Sequence, residues 1–239
     1  MLKDNYCILL TGTIQPLKVF SLGRIDVETR EKDYYNAICQ WLKKGVPVVF
    51  CESSGYASER ISALGKAHTH FEFLQYKDET DLSEKGKGYG EYLVMQHAFA
   101  HSKFIGEAEF IVKVTGRLFV KNFDRLLKSI GSKEFDVASA LELTLKWADS
   151  RLFIFRRSFY TENFVPFGGS INDKQRFVFE RALACGIHDA LSKNKTWEPL
   201  PFFPVYKGYS GTFNYRYRLF SYDSIRKSIR FYFFNRLVR

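Results

Sequence analysis

The chain has 239 residues, 46% of them hydrophobic and 17% aromatic, which excludes a disordered segment and lets one large domain bury its core without disulfide or metal. Net charge is +10 with a pI near 9.3, so polyanions (nucleic acid, acidic lipid, nucleotide phosphates) are natural partners. The charge is uneven: from Arg216 onward there are seven Lys/Arg against one Asp, a balance of +6, leaving +4 for the other 215 residues.

Cys7-Ile8-Leu9-Leu10 reads as a buried strand running into Thr11-Gly12-Thr13. Residues 32–44 have helical spacing, with Tyr35, Ile38, Cys39 and Leu42 on one face. A second apolar strand over 46–51 ends in Glu52-Ser53-Ser54-Gly55, and residues 71–76 form a third. The glycine-rich stretch Lys85-Gly86-Lys87-Gly88-Tyr89-Gly90 reads as a loop, with a helix over 91–102 behind it. A fourth strand, 110–115, closes in Gly116-Arg117, and 123–130 is a short helix. Residues 135–139 and 151–156 read as two more strands, 173–185 as a helix capped by Gly186, and the proline-rich 199–204 as an extended loop. Alternating strands and helices predict an α/β fold, a single Rossmann-like domain with a mainly parallel sheet covered by helices. Ligands of such sheets sit at the carboxyl ends of the strands, so Thr11-Gly12-Thr13, Glu52-Ser53 and Thr115-Gly116-Arg117 are the expected site segments.

Several residue groups carry possible chemistry. Lys87, Gly88 and Tyr89 lie in the glycine-rich stretch, where bare backbone amides at a helix start suit a phosphate, although the pattern matches no nucleotide-binding fingerprint. Lys113 and Thr115 point to one face of a strand. A lysine among Phe110, Ile111, Val112 and Val114 must reach a carboxylate or open into a ligand site. Arg117, just past the strand end, can grip phosphate or carboxylate with both arms, or pair at a sheet edge. Arg156 and Arg157, next to aromatic residues, can stack on a base or hold a diphosphate, or face solvent. Among the acids, Glu91, Asp173 and Glu180 are the candidate general bases, with surface charge as the plain alternative.

Cys7, Cys39, Cys51 and Cys185 are scattered without a C-x-x-C pair, and neither the histidines nor any Asp-x-Asp pair forms a metal signature, so no residue is assigned to metal. No apolar run reaches the roughly 18–20 residues that span a bilayer, and no leader pattern stands at the N-terminus. The expected location is cytoplasmic. In residues 216–239, Leu219, Tyr222, Ile225, Ile229, Tyr232 and Leu237 recur at spacings near three and four. Arg226, Lys227 and Arg230 flank that stripe, and Phe231, Phe233 and Phe234 widen it. This predicts a C-terminal amphipathic helix lying on an anionic membrane surface, or docking on the core. The domain expectation is therefore 1–215 for the folded unit and 216–239 for the tail.

The segments Val49-Phe50-Cys51-Glu52-Ser53-Ser54-Gly55-Tyr56, Lys85 to Tyr92, Phe110 to Arg117 and Arg156 to Tyr160 resemble those of small bacterial glycosyltransferases that build surface polysaccharides such as O-antigen or capsule. The resemblance spans residues 5–215. It implies a nucleotide-diphosphate sugar donor, for which UDP is the expected nucleotide and a hexose such as galactose the sugar. It also implies a lipid-linked glycan acceptor at the inner face of the plasma membrane, and a domain akin to the A-type glycosyltransferase fold. The chain departs from the wider A-type pattern where Lys113-Val114-Thr115-Gly116-Arg117 stands in place of an acidic metal motif. Dependence on Mg²⁺ or Mn²⁺ is thereby open, and Lys87, Lys113 and Arg117 are expected to offset the diphosphate charge directly. Two rivals stand beside this reading. One is a non-catalytic scaffold of a membrane assembly complex; the other is a nucleic-acid-binding protein, disfavoured because no such motif appears.

Overall fold

The computed structural model describes residues 5–16, 23–77, 82–142, 144–211 and 213–217, and beyond these only 226, 228, 229, 231 and 233. The elements in chain order are β1 (Tyr6–Gly12), α1 (Val27–Leu42), β2 (Val48–Glu52), α2 (Glu59–Ala67), β3 (Phe71–Gln75), α3 (Leu82–Lys85), α4 (Lys87–His101) and α5 (Lys103–Glu107). There follow β4 (Phe110–Thr115), β5 (Phe119–Val120), α6 (Phe123–Ile130), β6 (Val137–Ser139), β7 (Leu152–Arg156), α7 (Arg157–Phe159), a π-helical turn (Tyr160–Phe164), α8 (Val165–Gly168), α9 (Phe179–Ser192), β8 (Trp197–Pro199) and β9 (Tyr206–Lys207).

Seven strands form one sheet in the order β3-β2-β1-β4-β7-β6-β8, and β5 pairs with β9 in a separate ribbon. Strands β3, β2, β1 and β4 are parallel; β7 is antiparallel to both its neighbours, and β8 is parallel to β6. The expected α/β fold with a mainly parallel, helix-covered sheet is therefore present. Strand periodicity explains why both faces are covered. Ile8, Leu10, Val48, Phe50, Val112 and Val114 pack with α1 and α6 on one side. Cys7, Leu9, Val49, Cys51 and Ile111 pack with α4 and α9 on the other. Lys113 has the parity of Ile111, so it projects into the α4/α9 layer.

From β1 the chain steps outward to β2 and β3, then returns to add β4 on the other side of β1. The crevice outside the carboxyl ends of β1 and β4 is thus the topological switch point, where ligands of open α/β sheets bind.

Three expected elements need correction. The glycine-rich stretch is not a loop: Lys87 to Gly90 is the first turn of α4, and only Gly86, at φ 87°, lies outside it in a conformation that favours glycine. Residues 173–178 are not helical either. They belong to a turn closed by the Asn172–Phe177 bridge, and α9 begins at Phe179. Gly186 is consequently a buried residue inside α9, close against the Asn163 carbonyl, and not a cap. Among the described residues, no helix is long and apolar enough to cross a membrane.

Candidate active site

The switch-point crevice is built from three loops locked to one another. Glu52, fully buried at the end of β2, is the lock. Its Oε1 accepts hydrogen bonds from Ile14 N (2.8 Å), Ser54 N (3.0 Å) and the Ser54 hydroxyl, while Oε2 accepts from Tyr56 N at 3.0 Å. With these donors Glu52 fixes the loop after β1 against the loop after β2. Both oxygens of Glu52, an expected donor-binding residue, are thus engaged by the two loops. Thr13 Oγ1 and Ser53 Oγ, 2.7 Å apart, add a second tie, and the Thr13 carbonyl accepts from Arg30 Nε at 2.9 Å. Glu52→Ala strands three main-chain amides. It is expected to cost about 3–4 kcal/mol and lower the thermal midpoint by roughly 6–16 °C, read by calorimetry.

Gly12 and Gly116 face one another across the β1–β4 gap for a steric reason. A Cβ on Gly12 would stand 2.5 Å from the Tyr34 ring, and one on Gly116 would stand 2.7 Å from the Thr11 carbonyl. The Gly116 amide donates to that carbonyl at 2.8 Å. Gly116 lets the end of β4 close on β1, and Gly12 makes room for the Tyr34 and Phe50 rings beside them.

On the α4 side a charged network fills the crevice. Lys113 has no exposed surface. Its Nζ donates to Glu91 Oε1 and, at 2.7 Å, to the Ser150 carbonyl, with the Phe153 and Phe179 rings at 5.7 and 5.4 Å. The same Glu91 oxygen accepts from Thr11 Oγ1 at 3.2 Å. Ser150 Oγ donates to Glu180 Oε1 at 2.7 Å. Thr11, Glu91, Lys113, Ser150 and Glu180 therefore form one chain of contacts. Burial raises the Glu180 carboxyl above its ordinary pKa; the Ser150 hydrogen bond offsets part of that rise, and the Glu91 and Asp149 charges add to it.

Beside this chain, Asp149 grips Arg151 through both oxygens, Oδ1 to Nε at 2.8 Å and Oδ2 to Nη2 at 2.5 Å. Burial alone would raise the Asp149 carboxyl, but the Arg151 guanidinium holds it below the usual carboxylate range. Arg151 stacks on Tyr206 at 4.6 Å and nears Tyr217 at 5.8 Å. Asp173, the third expected base, does something else. Its Oδ2 accepts from Gly88 N at 3.1 Å and caps the start of α4 from outside the helix. Gly88 is required there, since a Cβ would meet Asp173 Oδ1 at 2.6 Å and the Phe179 amide at 3.2 Å.

Two expected donor-binding residues lie elsewhere. β7 runs antiparallel to β4, so Arg156 pairs with Phe110, five residues and about 16 Å along the strand from Thr115. Arg156 there pairs with Glu109, and Arg157 donates to the Gly106 carbonyl. Both line a separate cavity of about 680 Å³ under the π-helical turn. The antiparallel course that removes them brings Asp149, Ser150 and Arg151 to the crevice. Arg117 stands beside the crevice, with its Nε donating to the Tyr209 carbonyl at 3.0 Å. Among the described residues no group of three or more His, Cys, Asp or Glu could hold a metal ion. The donor set at the crevice is two carboxylates already tied to cations and one held by a serine hydroxyl, which does not fit a resident divalent ion.

No family model and no curated protein matches the chain. Among solved structures it is similar to a protein described as a nucleotide-diphospho-sugar transferase from Desulfovibrio desulfuricans, with 14% identity, TM-score 0.45, and 82% of this chain and 80% of that one covered. It is also similar to a glycosyltransferase involved in glycosylation of the major capsid of PBCV-1, with 9% identity, TM-score 0.46, and 81% and 80% covered. A third is a galactosyltransferase in complex with donor and acceptor sugar analogues, with 7% identity, TM-score 0.47, and 76% and 70% covered. Likeness of this size carries no conclusion about activity.

Of the expected membrane-facing residues, Lys227, Arg230 and Phe234 lie outside the described residues. Residues 226, 228, 229, 231 and 233 are helical, with Arg226 exposed, and Ile229 and Phe233 exposed by 52% and 58%. Phe231 instead packs edge-on against Phe203 at 5.9 Å. Across the expected division at 215/216, Arg216 bridges to Tyr209 and the Tyr217 ring lies 5.7 Å from Tyr206.

Proposed function

We propose that this chain is a glycosyltransferase that moves a hexose from a nucleotide-diphosphate sugar, UDP being the expected nucleotide, to a lipid-linked glycan acceptor in bacterial surface-polysaccharide synthesis. The observation that carries the reading is the network at the β1–β4 switch point, where a buried Lys113 and a carboxyl of raised pKa share one chain of contacts. Of the sequence segments that resemble those of surface-polysaccharide glycosyltransferases, 49–56, 85–92 and 110–117 contribute Glu52, Glu91, Lys113 and Gly116 to this crevice, while 156–160 lies at the separate cavity.

Glu180 is the proposed base. It takes the proton of the acceptor hydroxyl as that oxygen bonds to the anomeric carbon and the bond to the donor diphosphate breaks. The anomeric centre inverts in such a displacement. Glu91 is committed to the Lys113 ammonium, whereas Glu180 and Asp173 each accept one hydrogen bond, from the Ser150 hydroxyl and the Gly88 amide. Of these two, Glu180 is chosen because it belongs to the Lys113 network and burial raises its carboxyl. Thermal shift against UDP, GDP, CMP and their sugar conjugates, with and without Mg²⁺ or Mn²⁺, tests the proposal. A ligand at 100 times its dissociation constant stabilises by about 2.7 kcal/mol, so one nucleotide class should move the midpoint visibly. No shift with any of them would sink the reading.

The acceptor places the protein at the inner face of the plasma membrane, and the exposed Arg226, Ile229 and Phe233 are consistent with contact there. Deleting residues 218–239, which spares the packed Arg216 and Tyr217, is expected to release the protein from anionic liposomes in a sedimentation assay. Undiminished binding would assign Phe231 and its neighbours to core docking alone.

A further inference from the structure

A cavity of about 330 Å³ lies between α1 and the β5–β9 ribbon, lined among others by Asp33, Asn36, Arg117, Lys207, Tyr209 and Arg216. Three of these are cations. Asp33 is the one acid in the lining, and it is already engaged, holding Arg24 at 2.5 and 3.0 Å through its two oxygens. Among the described residues Arg117, Lys207 and Arg216 have no carboxylate partner, and the last two are exposed. Like charges gathered in one concavity repel unless a counter-anion joins them, and such a concavity focuses the field on anions.

The cavity is also shaped around one guanidinium. Arg117 Nε donates to the Tyr209 carbonyl, which leaves its two Nη groups for other acceptors. The guanidinium rests on Gly211, where a Cβ would stand 2.5 Å from Nη2 and 2.7 Å from Cζ. Gly208, at φ 137°, clears the Arg117 carbonyl, which a Cβ would approach to 2.5 Å. The segment from Lys207 to Gly211 therefore wraps Arg117 and carries Lys207 at its start. A planar fork held in place, with a lysine and a second arginine free to reach in, suits the several oxygens of a phosphate or diphosphate.

We infer that this cavity is an anion site for a phosphate or diphosphate group, with Arg117 as the seated fork and Lys207 and Arg216 as the exposed cations at its rim. Arg117 is two residues past the end of β4, so the cavity adjoins the switch-point crevice. As the seat of a donor's diphosphate it rests on the glycosyltransferase reading; as a site for free phosphate or pyrophosphate it does not.

Titration calorimetry on the full chain at low salt, with inorganic pyrophosphate, UDP and UDP-hexose as probes, tests the inference. Lys207→Ala/Arg216→Ala is expected to weaken pyrophosphate by at least about tenfold, and the charge-keeping Lys207→Arg/Arg216→Lys by less than about threefold. Circular dichroism checks that both variants fold. UDP bound more tightly than pyrophosphate, and weakened by the alanine pair, assigns the site to a nucleotide diphosphate. Pyrophosphate bound with every nucleotide refused keeps the site and removes the transferase reading. Nucleotide sugar bound equally by parent and alanine variant keeps the transferase and overturns the site. Absent pyrophosphate binding, or binding unchanged in the alanine pair, overturns it as well.

Discussion

Glu91→Ala is expected to destabilise the protein by about 4 kcal/mol, roughly twice the loss from Lys113→Met. The asymmetry comes from burial. Lys113 is wholly enclosed, so removing Glu91 leaves an ammonium among Phe153, Phe179 and the Ser150 carbonyl with no counter-charge. Glu91 keeps 28% of its side chain exposed and also accepts from Thr11, so without Lys113 it can be hydrated in place. Methionine fills most of the lysine's volume and adds apolar contact. For a chain of this length each kcal/mol moves the thermal midpoint by about 2–4 °C, so the two variants should separate by at least about 4 °C. The paired change Lys113→Met/Glu91→Gln should cost less than the sum of the single changes, because it removes both charges. Equal midpoints for the two single variants would mean that water reaches Lys113 and that the pair is a surface contact. Both single variants should lose transfer, since the crevice loses its cation in one and its geometry in the other.

The same pair shows how far the sequence could be read. A lysine inside an apolar strand has few fates, and that it must reach a carboxylate or open into a ligand site follows from its neighbours alone. Glu91 as that partner does not, because it depends on how α4 packs across β1 and β2. Strand direction was the harder problem. The apolar run over 151–156 is legible as a strand, but nothing in a short, fully buried run states which way it points. Taken as parallel, it puts Arg156 and Arg157 at the ligand end; its actual antiparallel course puts Asp149, Ser150 and Arg151 there. Glycines misled in a related way. Gly88 and Gly90 look like loop residues by composition, yet both sit at the start of α4, and at Gly88 it is Asp173 and the Phe179 amide that leave no room for a Cβ. The Lys207–Gly211 segment carried a signal that composition hides, two glycines flanking an arginine that lies some ninety residues earlier in the chain.

Glu180→Gln should separate stability from activity. Burial raises the Glu180 carboxyl in the folded protein, with Ser150 lowering it in part and Glu91 and Asp149 raising it further. A carboxyl raised on folding favours the native state fully while it is protonated, below its unfolded pKa. That contribution is lost as pH climbs through the raised folded value. At pH 8 the ionised, enclosed Glu180 therefore works against the fold. Glutamine removes that charge and still accepts the Ser150 hydroxyl through its carbonyl. The variant is expected to be as stable as the parent or slightly more so at pH 8, and the advantage should fade at acid pH. A base that must be ionised to take a proton predicts the reverse for activity. Transfer by the parent should rise with pH through a midpoint above the ordinary carboxylate range, and Glu180→Gln should lower kcat by about 10²–10⁴-fold without restoring it at any pH. A stable variant with near-parental turnover would leave Glu180 as a strut for Ser150 and return the choice of base to Glu91. A variant that loses both fold and activity would show that the ionised carboxylate holds Ser150, and through its carbonyl Lys113, in place. The raised pKa argues against that outcome, because a carboxylate that the fold needed charged would be held low, as Arg151 holds Asp149.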